Sequence, residues 1–298
     1  MDMDIGIEFE YMLATATGPD AGRLQDFGSL SFVGLQALLA AKPGQGDPEL
    51  ATGDLGIKSG YWYLEGDERF HADGRFRTLE VKGVEIRTPP LPGVDAAVHR
   101  LLEIEAELAE RLAIGNLAPA IVGFNPIRSA YDFVPPLNPW EEALRRQHRG
   151  YDGSHISTLS YGPDLNLSHP GWSEAQGLDA ARKLNYYAPY ILPFSFSSPF
   201  FAGAPWAGWS KRSFERVRYR PAVKYYVAPG RVAALQAETR MAQPARIGRE
   251  IGRIEFKAFD AIPSQALLRA CCHLLVGICL DDELPGRSEE CDVSLYRR

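Results

Sequence analysis

The chain has 298 residues, of which 45% are hydrophobic and 23% charged, and this composition is typical of a globular protein with a full-sized core. The formal net charge of −6 argues against broad nucleic-acid binding, and no apolar run reaches the roughly 18 residues of a membrane span. No secretory signal pattern opens the sequence and no linker divides it, so we expect one cytoplasmic domain over residues 1–298.

The first predicted strand carries acids on one side and apolar residues on the other. Because side chains alternate along a strand, Glu8 and Glu10 share one face of Ile5–Leu13, and Ile7 and Phe9 share the opposite face. Such a strand is either ordinary solvated surface or one wall of a cation site. The choice between these two interpretations depends on what later strands contribute.

The remaining elements mix helices, strands and hairpins. Apolar residues at helical spacing predict helices at Leu30–Ala41, Val94–Ile114, Glu174–Tyr190, Arg231–Met241 and Ile262–Leu280. Apolar or alternating runs predict strands at Leu79–Thr88, Ala118–Asn125, His155–Leu167, Arg216–Val227 and Gly252–Phe259, with hairpins before the first of them. Loops are expected at Gly44–Gly60, Arg128–Arg149 and Pro193–Gly208. This mixture is typical of an α+β fold.

Two of these strands repeat the pattern of the first. In residues 79–88, Glu85 and Arg87 share a face, and Gly83 between the two alternating halves indicates a bulge. The polar face of residues 252–259 carries Arg253, Glu255 and Lys257. Placed side by side in one sheet, the three polar faces would line it with carboxylates and interspersed cations. Carboxylate oxygens suit Mg²⁺ or Mn²⁺, although solvated surface remains the alternative for each strand alone.

Six motifs, in order, resemble the glutamate–cysteine ligase superfamily, whose carboxylate–amine ligases share the glutamine synthetase catalytic fold. The motifs are Gly6–Glu10, Val84–Pro90, Leu159–Leu167, Tyr187–Gly203, Gly208–Arg212 and Ile254–Asp260. Three positions depart from the family pattern: Lys257 replaces the usual arginine, and Asp164 and Asn166 stand where one branch has histidines. The chain is shorter than family members generally are, so a substrate-covering element is either missing or supplied by a second subunit of a homo-oligomer.

The resemblance implies a curved, antiparallel-rich β-sheet lined with acidic residues, with helices packed on its outer face. It implies ATP and Mg²⁺ (or Mn²⁺) as cofactors, and an amide bond formed between a small-molecule or peptide carboxylate and an amine through an acyl phosphate. The implied metal ligands are Glu8, Glu10, Glu85 and Glu255. The implied contacts to phosphate, nucleotide or substrate are Arg212, Lys257, Arg253 and Asn166, the first two in the catalytic role.

Two other functions stay open at this point. The same fold could carry out amide hydrolysis or phosphoryl transfer to another acceptor, because a fold does not determine a reaction. A degenerate relative could bind a ligand without catalysis, although the presence of Glu8, Glu10, Glu85 and Glu255 disfavours this hypothesis.

Overall fold

The computed structural model describes residues 3–44, 46, 59–147, 154–236, 239–292 and 294. Its longer strands are β1 (Asp4–Thr15), β3 (Trp62–Phe70), β4 (Phe76–Arg87), β7 (Gly162–Ser168) and β10 (Val223–Val227). The short strands are β2 (Leu24–Gln25), β5 (Leu91–Pro92), β6 (Leu117–Ala120), β8 (Phe200–Phe201), β9 (Ala204–Pro205), β11 (Ala242–Pro244) and β12 (Ile254–Phe256). The loop predicted at Gly44–Gly60 lies largely outside the described residues.

Eight helices connect these strands within the described ranges. They are α1 (Phe32–Leu38), α2 (Val94–Ile114), α3 (Pro139–Gln147), α4 (Ser154–Leu159), α5 (Glu174–Ile191), α6 (Lys211–Tyr219), α7 (Val232–Gln236) and α8 (Gln265–Leu280). The predicted α2 and α5 match the structure within one residue, since each has a long amphipathic period and a recognisable end signal. No helix in the described part of the chain is both long and apolar enough to cross a membrane.

The sheet is organised around β1. Its main path runs β11-β10-β12-β7-β1-β4-β3, and its pairs are antiparallel except for β10 with β11. The short strands β2, β5 and β6 also pair with β1, so five strands contact it along its twelve residues. The curled, antiparallel-rich sheet confirms the predicted α+β architecture.

The hydrophobic core fills the space between the sheet and the helices on its outer face. Ile5, Ile7 and Phe9 point into this core from β1, each at most 2% exposed. Helix α2 packs against β1, α5 packs against β10, and α8 packs against both helices. The opposite face of the sheet carries Glu8, Glu10, Glu85 and Glu255, and we call it the acidic face.

Three predicted segments differ most from the structure, and the predicted loop Pro193–Gly208 also contains the short strands β8 and β9. His155–Leu167 is not one strand, because α4 comes first and Gly162, with a φ of 126°, separates it from β7. Arg216–Val227 begins inside α6, where the alternating polar and apolar residues imitate a strand. The predicted irregular stretch Arg128–Arg149 contains α3, whose first N–H groups donate to the Asn138 side chain.

A bulge in β4 determines which residues reach the acidic face. Glu65 pairs with Gly83 while the next residue, Gly66, pairs with Val81, so Lys82 is the extra residue. Lys82 therefore lies on the same face as Glu85, and the bulge predicted at Gly83 is confirmed.

Gly83 has no room for a side chain. A Cβ built there would lie 2.0 Å from the Tyr11 carbonyl oxygen of the neighbouring strand. We expect Gly83→Ala to lower the free energy of unfolding by about 3 kcal/mol, because the backbone of β1 or β4 must shift. Urea denaturation measures the loss. The control is Gly230→Ala, at a position with no atom within 4 Å of the added Cβ, and an equal loss in both variants would contradict the explanation.

A buried ion pair attaches α3 to β3. Glu141 accepts hydrogen bonds from Arg69 Nε at 2.9 Å and from the Phe70 and Asn138 N–H groups. Burial alone would raise the pKa of Glu141, but these donors lower it to about 2. A carboxyl group whose pKa is lower in the folded state than in the unfolded state stabilises the fold. This stabilisation is complete at a pH above the pKa of the unfolded state, and it is lost as the pH falls to the pKa of the folded state.

Glu141→Gln should lower the free energy of unfolding at pH 7 by about 3 kcal/mol, because the buried charge of Arg69 loses its nearer carboxylate and keeps Glu80 at 3.7 Å. The difference from wild type should shrink as the pH falls from 4.5 towards 2, as measured by urea denaturation at several pH values. Glu142→Gln is the matched control, since the Glu142–Arg146 pair is exposed and contributes little. A pH-independent difference for Glu141→Gln would refute this account.

Candidate functional site

Two groups of three carboxylates lie on the acidic face. The first trio is Glu8, Asp164 and Glu255, and the second trio is Glu10, Glu65 and Glu85. Within each trio, one carboxylate oxygen from every residue lies within 4.8 Å of the others. Oxygen-only sites of this kind suit hard divalent cations such as Mg²⁺.

Strand register builds the first trio. Glu8 on β1 lies opposite Asp164 on β7, and Asn166 on β7 lies opposite Glu255 on β12. Three adjacent strands thus bring together residues more than 240 positions apart in the chain. The two predicted metal ligands Glu8 and Glu255 are in one trio, and Asp164 joins them although the sequence interpretation did not name it as a ligand.

The second trio comes from the other neighbours of β1. Glu10 lies opposite Glu85 on β4, so these two residues, both predicted as metal ligands, are adjacent. Glu65 arrives from β3, two residues after the partner of Glu85, Tyr63. Sequence reasoning missed Glu65 because Glu65-Gly66-Asp67 has the composition of a turn, whereas β3 continues through it to Phe70.

Three cations surround the first trio. The Lys257 ammonium contacts Asp164 and lies 3.1 Å from Glu255 Oε1. Lys224 Nζ lies 3.0 Å from the other oxygen of Glu255, and Arg253 Nη1 lies 3.7 Å from Glu8 Oε1. Each carboxylate of the trio therefore contacts a positive charge from β10 or from the chain around β12.

These contacts shift the ionisation of the trio. Burial raises the pKa of Glu8, and the opposing attraction of Lys257 does not cancel that effect. Burial would also raise the pKa of Glu255, but Lys257, Lys224 and Arg253 hold it well below its usual range. The pKa of Lys257 rises well above its usual range, because Asp164, Glu255 and Glu8 outweigh the effect of burial.

Asn166 and Arg253 are linked on the acidic face. Arg253 Nη1 donates to Asn166 Oδ1 at 3.1 Å, and the guanidinium stacks 4.0 Å from the centre of the Tyr226 ring. The structure therefore places these two of the three predicted nucleotide contacts, with Lys257 as the third, beside Glu8 and Glu255.

One lysine belongs to the second trio. Lys82 Nζ lies 2.9 Å from Glu10 Oε2 and donates to the carbonyl oxygens of Ser157 and Ser160. Burial raises the pKa of Glu10, with Lys82 acting in the opposite direction. The β4 bulge, which turns Lys82 to this face, thus provides charge compensation for Glu10.

Helix α6 brings two arginines towards the acidic face. Arg212 is 2% exposed, and its Nε and Nη1 atoms have no hydrogen-bond partner among the described residues. Its Nη2 lies 3.9 Å from Asp164 Oδ1, too far for a hydrogen bond. One turn later, Arg216 is also buried, which lowers its pKa to about 10.

Gly162 makes room for the Arg212 guanidinium. A Cβ at residue 162 would lie 3.1 Å from Arg212 Nε. Burying polar donors without a partner is costly, so this arrangement is suited to an anion that accepts their hydrogen bonds. The residues present therefore fit both divalent cations, at the trios, and an anionic ligand, at α6.

Comparison with known proteins identifies the fold. The chain is 27% identical over 131 residues to glutamate–cysteine ligase EgtA of Mycobacterium tuberculosis, in strains CDC 1551 / Oshkosh and H37Rv, and the match covers 42% of this chain and 29% of EgtA. The bifunctional glutathione synthetase from Pasteurella multocida has a similar structure, with a TM-score of 0.51 and 14% identity over 99% of this chain and 41% of that chain. No family model matches the sequence.

The chain has the fold of a carboxylate–amine ligase. This glutamine synthetase-like ligase fold is the one that the six sequence motifs resemble. The chain spans less than half of the length of each relative named above. In the structure, the motif Gly208–Arg212 leads into α6 and includes its first residues. The motif Ile254–Asp260 forms β12 and the segment that follows it.

The unpaired donors of Arg212 lead to a prediction about the free energy of unfolding and about anion binding. Replacing this buried guanidinium with an apolar side chain, in Arg212→Met, should raise the free energy of unfolding of the ligand-free protein by about 1 kcal/mol, because unpartnered donors are no longer buried and Asp164 keeps its contact with Lys257. The same change should abolish stabilisation by inorganic triphosphate with Mg²⁺, because the donors for the anion are lost. Thermal unfolding with and without that probe measures both effects.

Arg218→Met is the matched control for this prediction. Arg218 lies on the same helix but is exposed, so its replacement should leave the response to triphosphate unchanged. Triphosphate stabilisation that is intact in Arg212→Met would show that this side chain does not bind the anion.

Proposed function

We propose that this protein is an ATP-dependent ligase that forms an amide bond between a substrate carboxylate and an amine. The observation that carries the proposal is the arrangement of two carboxylate trios beside two buried arginines of α6 on one face of the sheet. The similarity to EgtA, which is named as a glutamate–cysteine ligase, supports it. Cation sites beside an anion site are what a metal–nucleotide complex requires.

The trios are the proposed sites for Mg²⁺ or Mn²⁺. Glu8, Glu255 and Asp164 would hold one ion, and Glu10, Glu85 and Glu65 would hold another. When bound, such ions polarise phosphoryl oxygens and neutralise charge that develops during transfer. The two trios share β1, so this strand would determine the spacing between the ions.

Protein cations would bind the phosphate groups. Arg212 and Arg216 present buried donors, and Lys257 and Arg253 lie beside the first trio. In the proposed roles, Arg212 and Lys257 contact the transferring phosphoryl group or the substrate carboxylate, while Arg253 and Asn166 position the nucleotide. Donors fixed before the reaction stabilise the added negative charge without reorganising during it.

The proposed reaction has two balanced steps. A carboxylate oxygen of the substrate attacks the γ-phosphorus of ATP, ADP leaves, and an acyl phosphate forms. The amine nitrogen then attacks the acyl carbon, phosphate leaves, and the nitrogen loses a proton to give the amide. Small-molecule and peptide carboxylates both fit this chemistry.

The test is Mg²⁺-dependent ADP release in a screen of carboxylate and amine pools. We expect release only when ATP, Mg²⁺, a carboxylate and an amine are all present. Loss of outer-shell partners costs metal sites about 10- to 100-fold, so loss of a direct ligand in Glu8→Gln or Glu10→Gln should reduce the rate by about 100-fold or more. Coupled-enzyme detection of ADP gives the rates.

Glu107→Gln is the control, because it makes the same chemical change on the exposed side of α2 and should retain full activity. Amide hydrolysis without ATP consumption would instead favour the hydrolase alternative. Absence of any thermal shift with ATP and Mg²⁺ would contradict the ligase proposal.

A further inference from the structure

Lys257 has an unusual position among the cations of the acidic face. Its ammonium contacts carboxylate oxygens of both Asp164 and Glu255, two of the three members of the first trio. The third member, Glu8, also contributes to the electrostatic stabilisation of this ammonium. The charged end of Lys257 thus lies among the oxygen atoms that a divalent ion would need.

Lys224 and Lys82 do not occupy a trio in this way. Lys224 contacts Oε2 of Glu255, whereas Lys257 contacts Oε1 of the same carboxylate. Lys82 binds Glu10, but two backbone carbonyl groups take its other donors. Lys257 is therefore the cation that bridges two carboxylates of one trio among the described ion pairs.

A divalent ion and an ammonium cannot share the same carboxylate oxygens, because they repel each other and compete for the same lone pairs. A metal ion can enter the first trio only when the Lys257 ammonium leaves Asp164 and Glu255. The buried, unpartnered donors of Arg212 beside Asp164 point independently to a ligand next to this trio, and such donors suit an anion.

We propose that Lys257 is a resident cation of the first trio, which keeps a divalent ion out of that trio in the nucleotide-free protein. This inference rests on the proposed function, since it takes the trios to be metal sites. It assigns a specific property to the first trio, which accepts an ion only after its lysine has moved away from Asp164 and Glu255. An anion that binds the Lys257 ammonium would move it away from Asp164 and Glu255, and a divalent ion could then bind the first trio.

The test counts Mn²⁺ ions bound per chain without nucleotide, by electron paramagnetic resonance of free Mn²⁺. Lys257→Met keeps most of the length of the side chain and removes the charge. We expect this variant to bind one more ion than wild type. Lys257→Gln serves as a second variant if the methionine variant does not fold, and adding Glu255→Gln to either should remove the gained ion.

Lys224→Met is the matched control, because it removes a positive charge from Glu255 without clearing the space between Glu255 and Asp164. We expect it to bind the same number of ions as wild type. Equal counts for wild type and Lys257→Met, at one ion or more, would overturn this inference and leave the proposed function standing. A gain in Lys224→Met as well would overturn it too, since lowered charge alone would then suffice. Binding of no Mn²⁺ by any variant would overturn both.

Discussion

A buried carboxylate needs a nearby positive charge, and this requirement organises the acidic face. Glu255 is 3% exposed and is ionised because Lys257 and Lys224 lie on its two oxygens. Glu10 contacts Lys82, which reaches it through the β4 bulge and opposes the rise in its pKa that burial causes. The ionisation of each carboxylate on this face therefore depends on the neighbouring cations and on the β4 bulge. A substitution at one carboxylate changes the electrostatic environment of its neighbours.

The two ends of the acidic face differ in charge. Around the first trio, cations come from β10, the chain around β12 and α6, and buried donors of Arg212 remain without a partner in the described structure. Around the second trio, carboxylates come from β1, β3 and β4. This asymmetry suits a ligand with an anionic part at α6, because unsatisfied donors are costly unless an anion accepts from them.

Local pattern explains why part of the fold was predictable. Alternation along β1 identified the face that carries Glu8 and Glu10, and the 3.6-residue period identified α2 and α5. The segment of α6 was misinterpreted because Arg216 to Arg220 alternates like a strand. The helix has a local start signal, since Ser210 accepts a hydrogen bond from the Ser213 N–H, but the burial of Arg212 and Arg216 is a property of the folded chain that the alternation does not indicate.

The sequence by itself determined which residues could share a face, since the two-residue period of a strand is a property of the backbone. It thus placed Glu8 with Glu10, and it indicated the six motifs of a carboxylate–amine ligase fold. Only the tertiary structure decided that these two glutamates belong to different trios, with Asp164 and Glu65 as additional members. The physical reason is that strand register brings together residues distant in the chain, and register depends on the packing of the whole sheet.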